Sequence, residues 1–296
     1  RDSSLRLVGS EMCIRDSWFT GLLVLRAAGG AAMAVIAWLG WQEVFGDQDR
    51  MGDVAVVGPV MGIVGAPAAS ALADWSGADA VFVMLAIVAM APLLVRHPRA
   101  ELRANAPRKA ARSKPIPVTR VILLCLGTIT FGGSAVFVFA AALGTDRVGL
   151  DPLVVSLAFS ANAVVGIPAA RYRGRRWLSG VWLIGTGAMA IVVANVTVAP
   201  IFWAAVVVWG FSFWAGVPGV FALLAERSAH PADRAGDAQS VMAAGRVLGP
   251  LLGAGFVEAD ALEALGFVAG GLMVVAALAL IALELRVPAR TEPAPG

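Results

Sequence analysis

Long apolar stretches separated by short charged breaks organise the whole chain. Runs long enough for spanning helices of about 20 residues fall at 18–43, 54–73, 79–95, 118–143, 152–170, 177–196, 200–225, 237–257 and 262–284. The stretch from Trp177 to Ala225 carries no charge for 49 positions, too long for one helix. The segment Asn195-Val-Thr-Val-Ala-Pro200 divides it, and Pro200 suits the first turn of the helix that follows. The pattern predicts an all-α polytopic membrane protein with nine transmembrane helices.

The charged breaks give the expected orientation. Alternate breaks hold Arg50, the group between Arg96 and Arg120, Arg171 to Arg176, Arg227 with Arg234, and Arg286 with Arg290, seventeen Lys and Arg in all. The opposite breaks hold Arg147 among Asp74, Asp79, Asp146, Asp151, Glu258, Asp260 and Glu263. The positive-inside rule places the basic side, with the C-terminus, in the cytoplasm. A multi-pass protein of the cell (inner) membrane is expected.

Composition strengthens this reading. The 296 residues are 59% apolar and 15% charged, against about 25% charged in ordinary soluble domains. A water-soluble enzyme core could not hide so much apolar side chain. The basic residues sit in breaks and form no continuous face, so no nucleic-acid partner is expected. Cys13 and Cys125 cannot build a disulfide framework, and His97 and His230 lie in charged breaks without metal-ligand spacing. No catalytic residue, metal or Walker-type Gly-Lys-Ser/Thr is visible. The Gly185-x-Gly187-x-x-Ala190 pattern has no strand before it and is no dinucleotide fingerprint.

Residues 1–17, RDSSLRLVGSEMCIRDS, stand apart. Arg-Asp-Ser occurs at 1–3 and again at 15–17, and no apolar core of a signal peptide is present. The segment resembles translated sequencing-adapter read-through, a non-native stretch, and is set aside; a genuine short polar extension is the alternative.

An internal repeat divides the remainder. Asp49-Arg-Met-Gly-Asp53 recurs as Asp233-Arg-Ala-Gly-Asp237. Beyond it, Gly62-xxx-Ala66-Pro67-xx-Ser70-Ala71 aligns with Gly245-xxx-Gly249-Pro250-xx-Gly253-Ala254. Transporters are often built from two such halves. Here 118–285 holds six spans, 96–117 is a Pro- and Arg-rich cytoplasmic linker, and 18–95 holds only three. The expectation is a chain carrying spans four to twelve of a twelve-span protein, with a cytoplasmic tail at 286–296.

These residues resemble the major facilitator superfamily from Trp18 to about Leu285. The fourth span of that family carries an Arg followed by Gln-Gly and small residues; Leu22-xxx-Arg26-Ala-Ala-Gly29-Gly30 matches at Arg26 and Gly30, with Gly29 where Gln is usual. Antiporter members carry a Gly-xxx-Gly-Pro-xx-Gly-Gly run, degraded here at 62–71 and cleaner at 245–254. A loop of the type Asp-Arg-x-Gly-Arg-Arg appears as Arg171-Tyr-Arg-Gly174-Arg175-Arg176, without its acidic residue. The resemblance implies a major-facilitator helix bundle that moves a small molecule by alternating access. It also implies that Arg26, with Gly30 beside it, couples conformational change or protonation.

Other candidates follow from the residues themselves. Arg26 and Arg246 are the charges well inside spans, where a charge is costly and faces a cavity or a partner. Two roles are open to each: a substrate or coupling contact, or an arginine held by helix-end carbonyls or by a missing span. Phe131, Ser134, Asn162, Trp209 and Ser212 are candidates to line a substrate cavity, although aromatic residues in spans also face lipid. The Gly-Pro runs at Gly62, Pro67, Gly245, Gly249, Pro250 and Gly253 allow close helix approach or bending. Asp53 and Asp237 read as openers of helices, where carboxylates cap exposed amides. Asp53 and Glu226, with Arg171, Arg175 and Arg176, are also candidates for a cytoplasmic gate.

The functional expectation is a secondary active transporter, first of all a proton-coupled exporter, monomeric in the lipid bilayer and needing an ion gradient but no bound cofactor. Organic-anion uptake or exchange through Arg26 and Arg246 is the alternative. A non-transporting membrane sensor or inert fragment is the third reading.

Overall fold

The computed structural model describes residues 19–44, 48–90, 114–171, 178–228 and 231–286. Among them nine main helices follow in chain order: α1 (Phe19–Val44), α2 (Gln48–Ser76), α3 (Ala78–Met90), α4 (Pro117–Phe137), α5 (Pro152–Ala170), α6 (Ser179–Asn195), α7 (Ala199–Glu226), α8 (Pro231–Glu258) and α9 (Leu262–Arg286). No strand occurs among the described residues. The described part of each apolar run lies mainly on one of these helices. Among the described residues, six helices are long and apolar enough to cross a membrane: α2, α4 with its continuation to Arg147, α5, α7, α8 and α9.

The local chemistry explains several boundaries. Pro117, Pro152 and Pro200 all lie in first turns, where their missing N–H costs nothing. Asp151 caps α5, its carboxylate accepting from the Leu153 amide at 2.8 Å. α6 ends at Asn195 and α7 opens at Ala199, so the charge-free stretch divides where Pro200 places the break.

Three boundaries differ from the apolar runs. α2 opens at Gln48 and α8 at Pro231, about two turns before the runs at 54 and 237. Asp53 and Asp237 therefore sit within the second turns and are not N-caps. Helices continue into water past the point where hydropathy falls, because Asp, Arg and Gln are compatible with helix once the lipid is left behind. The run 118–143 is also not one straight helix. α4 stops at Phe137, a short α-turn follows at Ala140–Ala142, and a π-turn occupies Leu143–Arg147. Residues 91–113, which include the end of the third run and most of the linker, lie outside the described residues, as do 1–18 and 287–296.

The core belongs to α4–α9. α8 lies along α4, α9 along α6 and α4, and α7 against α5 and α6. Ile122, Leu126, Ile129, Leu183, Phe202, Val220, Leu224, Leu265, Met273 and Leu280 are buried between them. α2 lies along α5 and α1 touches α8, whereas most of the large apolar side chains described on α1 and α3 are exposed.

Two ends are chemically distinct: a basic end with Arg50, Arg171, Arg227 and Arg234, and an acidic end with Asp74, Asp79, Asp146, Asp151 and Glu263. At the acidic end Arg147 ties three helices together. It donates to the Ala194 carbonyl on α6 at 3.1 Å and to Glu263 on α9 at 2.7 Å. Replacing Arg147 with Ala should cost about 1 kcal/mol, mostly from the carbonyl bond, since the Glu263 side is exposed. Thermal unfolding in detergent checks this; an unchanged midpoint would remove the tie.

Candidate functional site: the space between the helix groups

The repeat run on α8 forms a stripe of small residues seated on α4. A Cβ built on Gly245 would lie 2.7 Å from the Gly127 carbonyl, one on Gly249 would lie 2.9 Å from the Ala135 nitrogen, and one on Gly253 would collide with the Ala135 carbonyl and the Phe139 ring. Backbone atoms of α4 are among the neighbours at all three positions, so only glycine lets the two helices come this close. Phe131 and Ser134 belong to this contact: the Phe131 backbone faces Gly245 and Gly249, and the Ser134 Cβ faces Gly249. Pro250 is half-buried beside it. On α2, Gly62 faces Ala163 of α5, and Pro67 is half-buried one turn further on.

The remaining cavity candidates separate into two groups. Trp209 of α7 is buried, and its ring packs 5.5 Å from that of Phe137 on α4, which in turn meets Phe159 of α5 edge-on at 5.2 Å. This joins three helices through aromatic faces. Asn162 and Ser212 lie inside the bundle. The Asn162 amide donates to the Val206 carbonyl at 2.6 Å, and glycine at 210 leaves room for its side chain. Ser212 is buried against Gly185 of α6. Phe159 was not singled out from the sequence; its position eight residues into α5 carries no local signal.

Arg246 is exposed on α8. It lies ten residues past Gly236, about 15 Å along the helix, and among the described residues no carboxylate or carbonyl pairs with it. Every described Asp and Glu lies near a helix end or in a break. Arg26 and Gly30 fall on α1, but their side-chain surroundings lie outside the described residues.

At the basic end, Arg171 Nε lies 3.4 Å from Asp53 Oδ1, bridging α5 and α2, with both side chains more than half exposed. Glu226 is the exposed last residue of α7. Arg175 and Arg176 lie outside the described residues. Asp237 pairs within its own helix with Arg234 at 2.7 Å. Arg234 is 2% exposed, which its place in a charged break gave no reason to expect; the repeat partner Arg50 is exposed. Burial of a guanidinium needs nearby anions, and Asp233 and Asp237 flank it.

The sequence matches the Major Facilitator Superfamily over residues 5–254. The chain belongs to that family of membrane transporters and is not an enzyme. The match takes in most of the 1–17 segment that sequence reading set aside. No curated protein matches the chain. Among solved structures it is similar to the human organic anion transporter MFSD10 (TETRAN), with a TM-score of 0.50 and 16% identity, over 60% of this chain and 43% of that one. The likeness shows a shared fold, and this chain spans less than half of the length of that structure.

Proposed function

We propose that the chain acts as a secondary active transporter for an amphipathic organic anion, by alternating access around a site near the middle of the membrane. One observation carries the proposal: Arg246 stands mid-helix, exposed and without a protein counter-charge among the described residues. A charge held there is costly, and an anionic cargo relieves the cost. The aromatic group Phe137, Phe159 and Trp209 supplies an apolar wall for the rest of such a molecule. The name of the MFSD10 structure is in keeping with this choice of cargo. The basic end faces the cytoplasm by the positive-inside rule, in the cell (inner) membrane, and the working unit is a monomer.

Proton-driven export is our reading of direction and coupling. It rests on the resemblance of 245–254 to the antiporter run, with Arg26 as the coupling residue; the protein needs no further cofactor. Proteoliposomes test both parts with two aromatic dyes of similar size, anionic fluorescein and cationic rhodamine 123. Fluorescein movement that responds to an imposed pH gradient, with rhodamine static, is the expected result. Preference for rhodamine would overturn the anionic cargo. Failure of either dye to move with folded protein would count against transport by this chain.

The Arg171–Asp53 pair is an exposed ion pair and is worth about 0–1 kcal/mol. Asp53→Arg should slow transport severalfold, and the swap Asp53→Arg with Arg171→Asp should restore it. Unchanged transport after charge reversal would remove the pair from the gate.

A further inference from the structure

The helix groups α1–α3 and α4–α9 meet along their basic-end halves, and three tryptophans occupy that junction. Trp38 of α1 lies over Gly236 of α8: a Cβ on that glycine would be 3.2 Å from the indole nitrogen. Trp214 of α7 reaches the other way, to Gly58 of α2, where a Cβ would be 3.0 Å from its ring. The opposite edge of Trp214 rests on Gly166 of α5, where a Cβ would come within 2.7 Å. Trp41 of α1 meets Phe221 of α7 edge to face, with centroids 4.7 Å apart. Ala55, Val56 and Ala170 fill the space beneath Trp41 and Trp214.

The contacts continue to the middle of α2. The Ser160 hydroxyl donates to the Ile63 carbonyl at 2.9 Å, joining α5 to α2. Beyond it on α2, Val64 is exposed, and so is Trp75 near the end of the helix; Leu153 and Leu157 are exposed on α5.

We propose that Trp38 and Trp214, each seated on a glycine of the opposite helix group, form a reciprocal clasp that shuts the basic end of the pathway. Each seat is shaped to one ring. Each glycine leaves room for the edge of one indole, and an added methyl at either seat would have to displace that ring by a few tenths of an ångström. The rings are large apolar surfaces, so closing removes water from the junction, and among the described residues no hydrogen bond holds either ring in its seat, which leaves the seats separable. Arg246, about 15 Å further along α8, then opens only to the acidic end. The inference rests on the transport reading for its purpose, but its test reads conformation alone.

The test uses the full chain in membrane vesicles of both orientations, with Cys13 and Cys125 changed to Ser and a reporter Ala243→Cys on α8. A membrane-impermeant thiol reagent is applied from each side. The parent should label chiefly from the acidic-end side. Trp38→Ala with Trp214→Ala should speed labelling from the basic-end side at least tenfold, and Trp→Phe at both positions should keep most of the protection. Gly58→Ala with Gly236→Ala crowds the rings without removing them and should speed labelling from the basic-end side severalfold; this pair serves if the double tryptophan variant does not fold. Equal labelling of the parent from both sides, or unchanged sidedness in folded clasp variants, would overturn the clasp. Clasp-dependent sidedness in a chain that moves no dye would instead count against the transport reading alone.

Discussion

Gly249→Leu should abolish accumulation of folded protein, while Gly255→Leu, six residues along the same helix, should be tolerated. A Cβ at 249 already falls 2.9 Å from the Ala135 nitrogen and 3.0 Å from the Ser134 Cβ, whereas one at 255 meets nothing within 4 Å. Overpacking a core commonly costs about 1–3 kcal/mol when side chains can shift. Here the obstacle includes the backbone of α4, so the helices must separate. Separation would also loosen Gly245 and Gly253, which share the same face, and the interface would fail as a unit. Yield of monodisperse protein from detergent, followed by its thermal midpoint, checks the pair. A Gly249→Leu protein with the parent's yield and midpoint would contradict the α4–α8 contact. The size of the contrast matters, because transmembrane helices gain no hydrophobic driving force from one another and depend on close packing.

That stripe was legible in the chain as glycines at 245, 249 and 253, and so were the nine apolar runs and the break before Pro200. All of these are local signals: span length, charge exclusion, a four-residue spacing, a proline. What stayed hidden depends on distant partners. Trp38 and Trp214 look like ordinary apolar residues until Gly236 and Gly58 are placed beneath them. Arg234 was indistinguishable from Arg50, since both stand in the same Asp-Arg-x-Gly-Asp motif, yet one is buried and the other exposed. The π-turn after α4 also has no composition cue; it accompanies Thr145, whose hydroxyl donates to the Ala141 and Ala142 carbonyls, and Arg147, anchored on α6 and α9. Asn162 shows the same limit from the other side. Its polarity singled it out, and only the structure supplies its partner, the Val206 carbonyl.

Arg246→Gln should lower transport of an anionic dye by about 10- to 100-fold, the loss expected when a charge-assisted contact worth about 1.5–3 kcal/mol is removed. Arg246→Lys should keep more of the activity, because the charge remains although the planar fork is lost. Stability should move the other way. An arginine in mid-span with no described counter-charge is a cost to the resting protein, so the glutamine variant should melt at a higher temperature than the parent while transporting less. The opposed signs separate the two roles open to this residue. An arginine held by helix-end carbonyls or by another span would take stability down with it when replaced, and both measurements would fall together. Thermal midpoints with and without fluorescein complete the comparison. Dye should stabilise the parent by occupying the site and leave the glutamine variant nearly unchanged. A stabilising effect of equal size in both proteins would place the anion elsewhere.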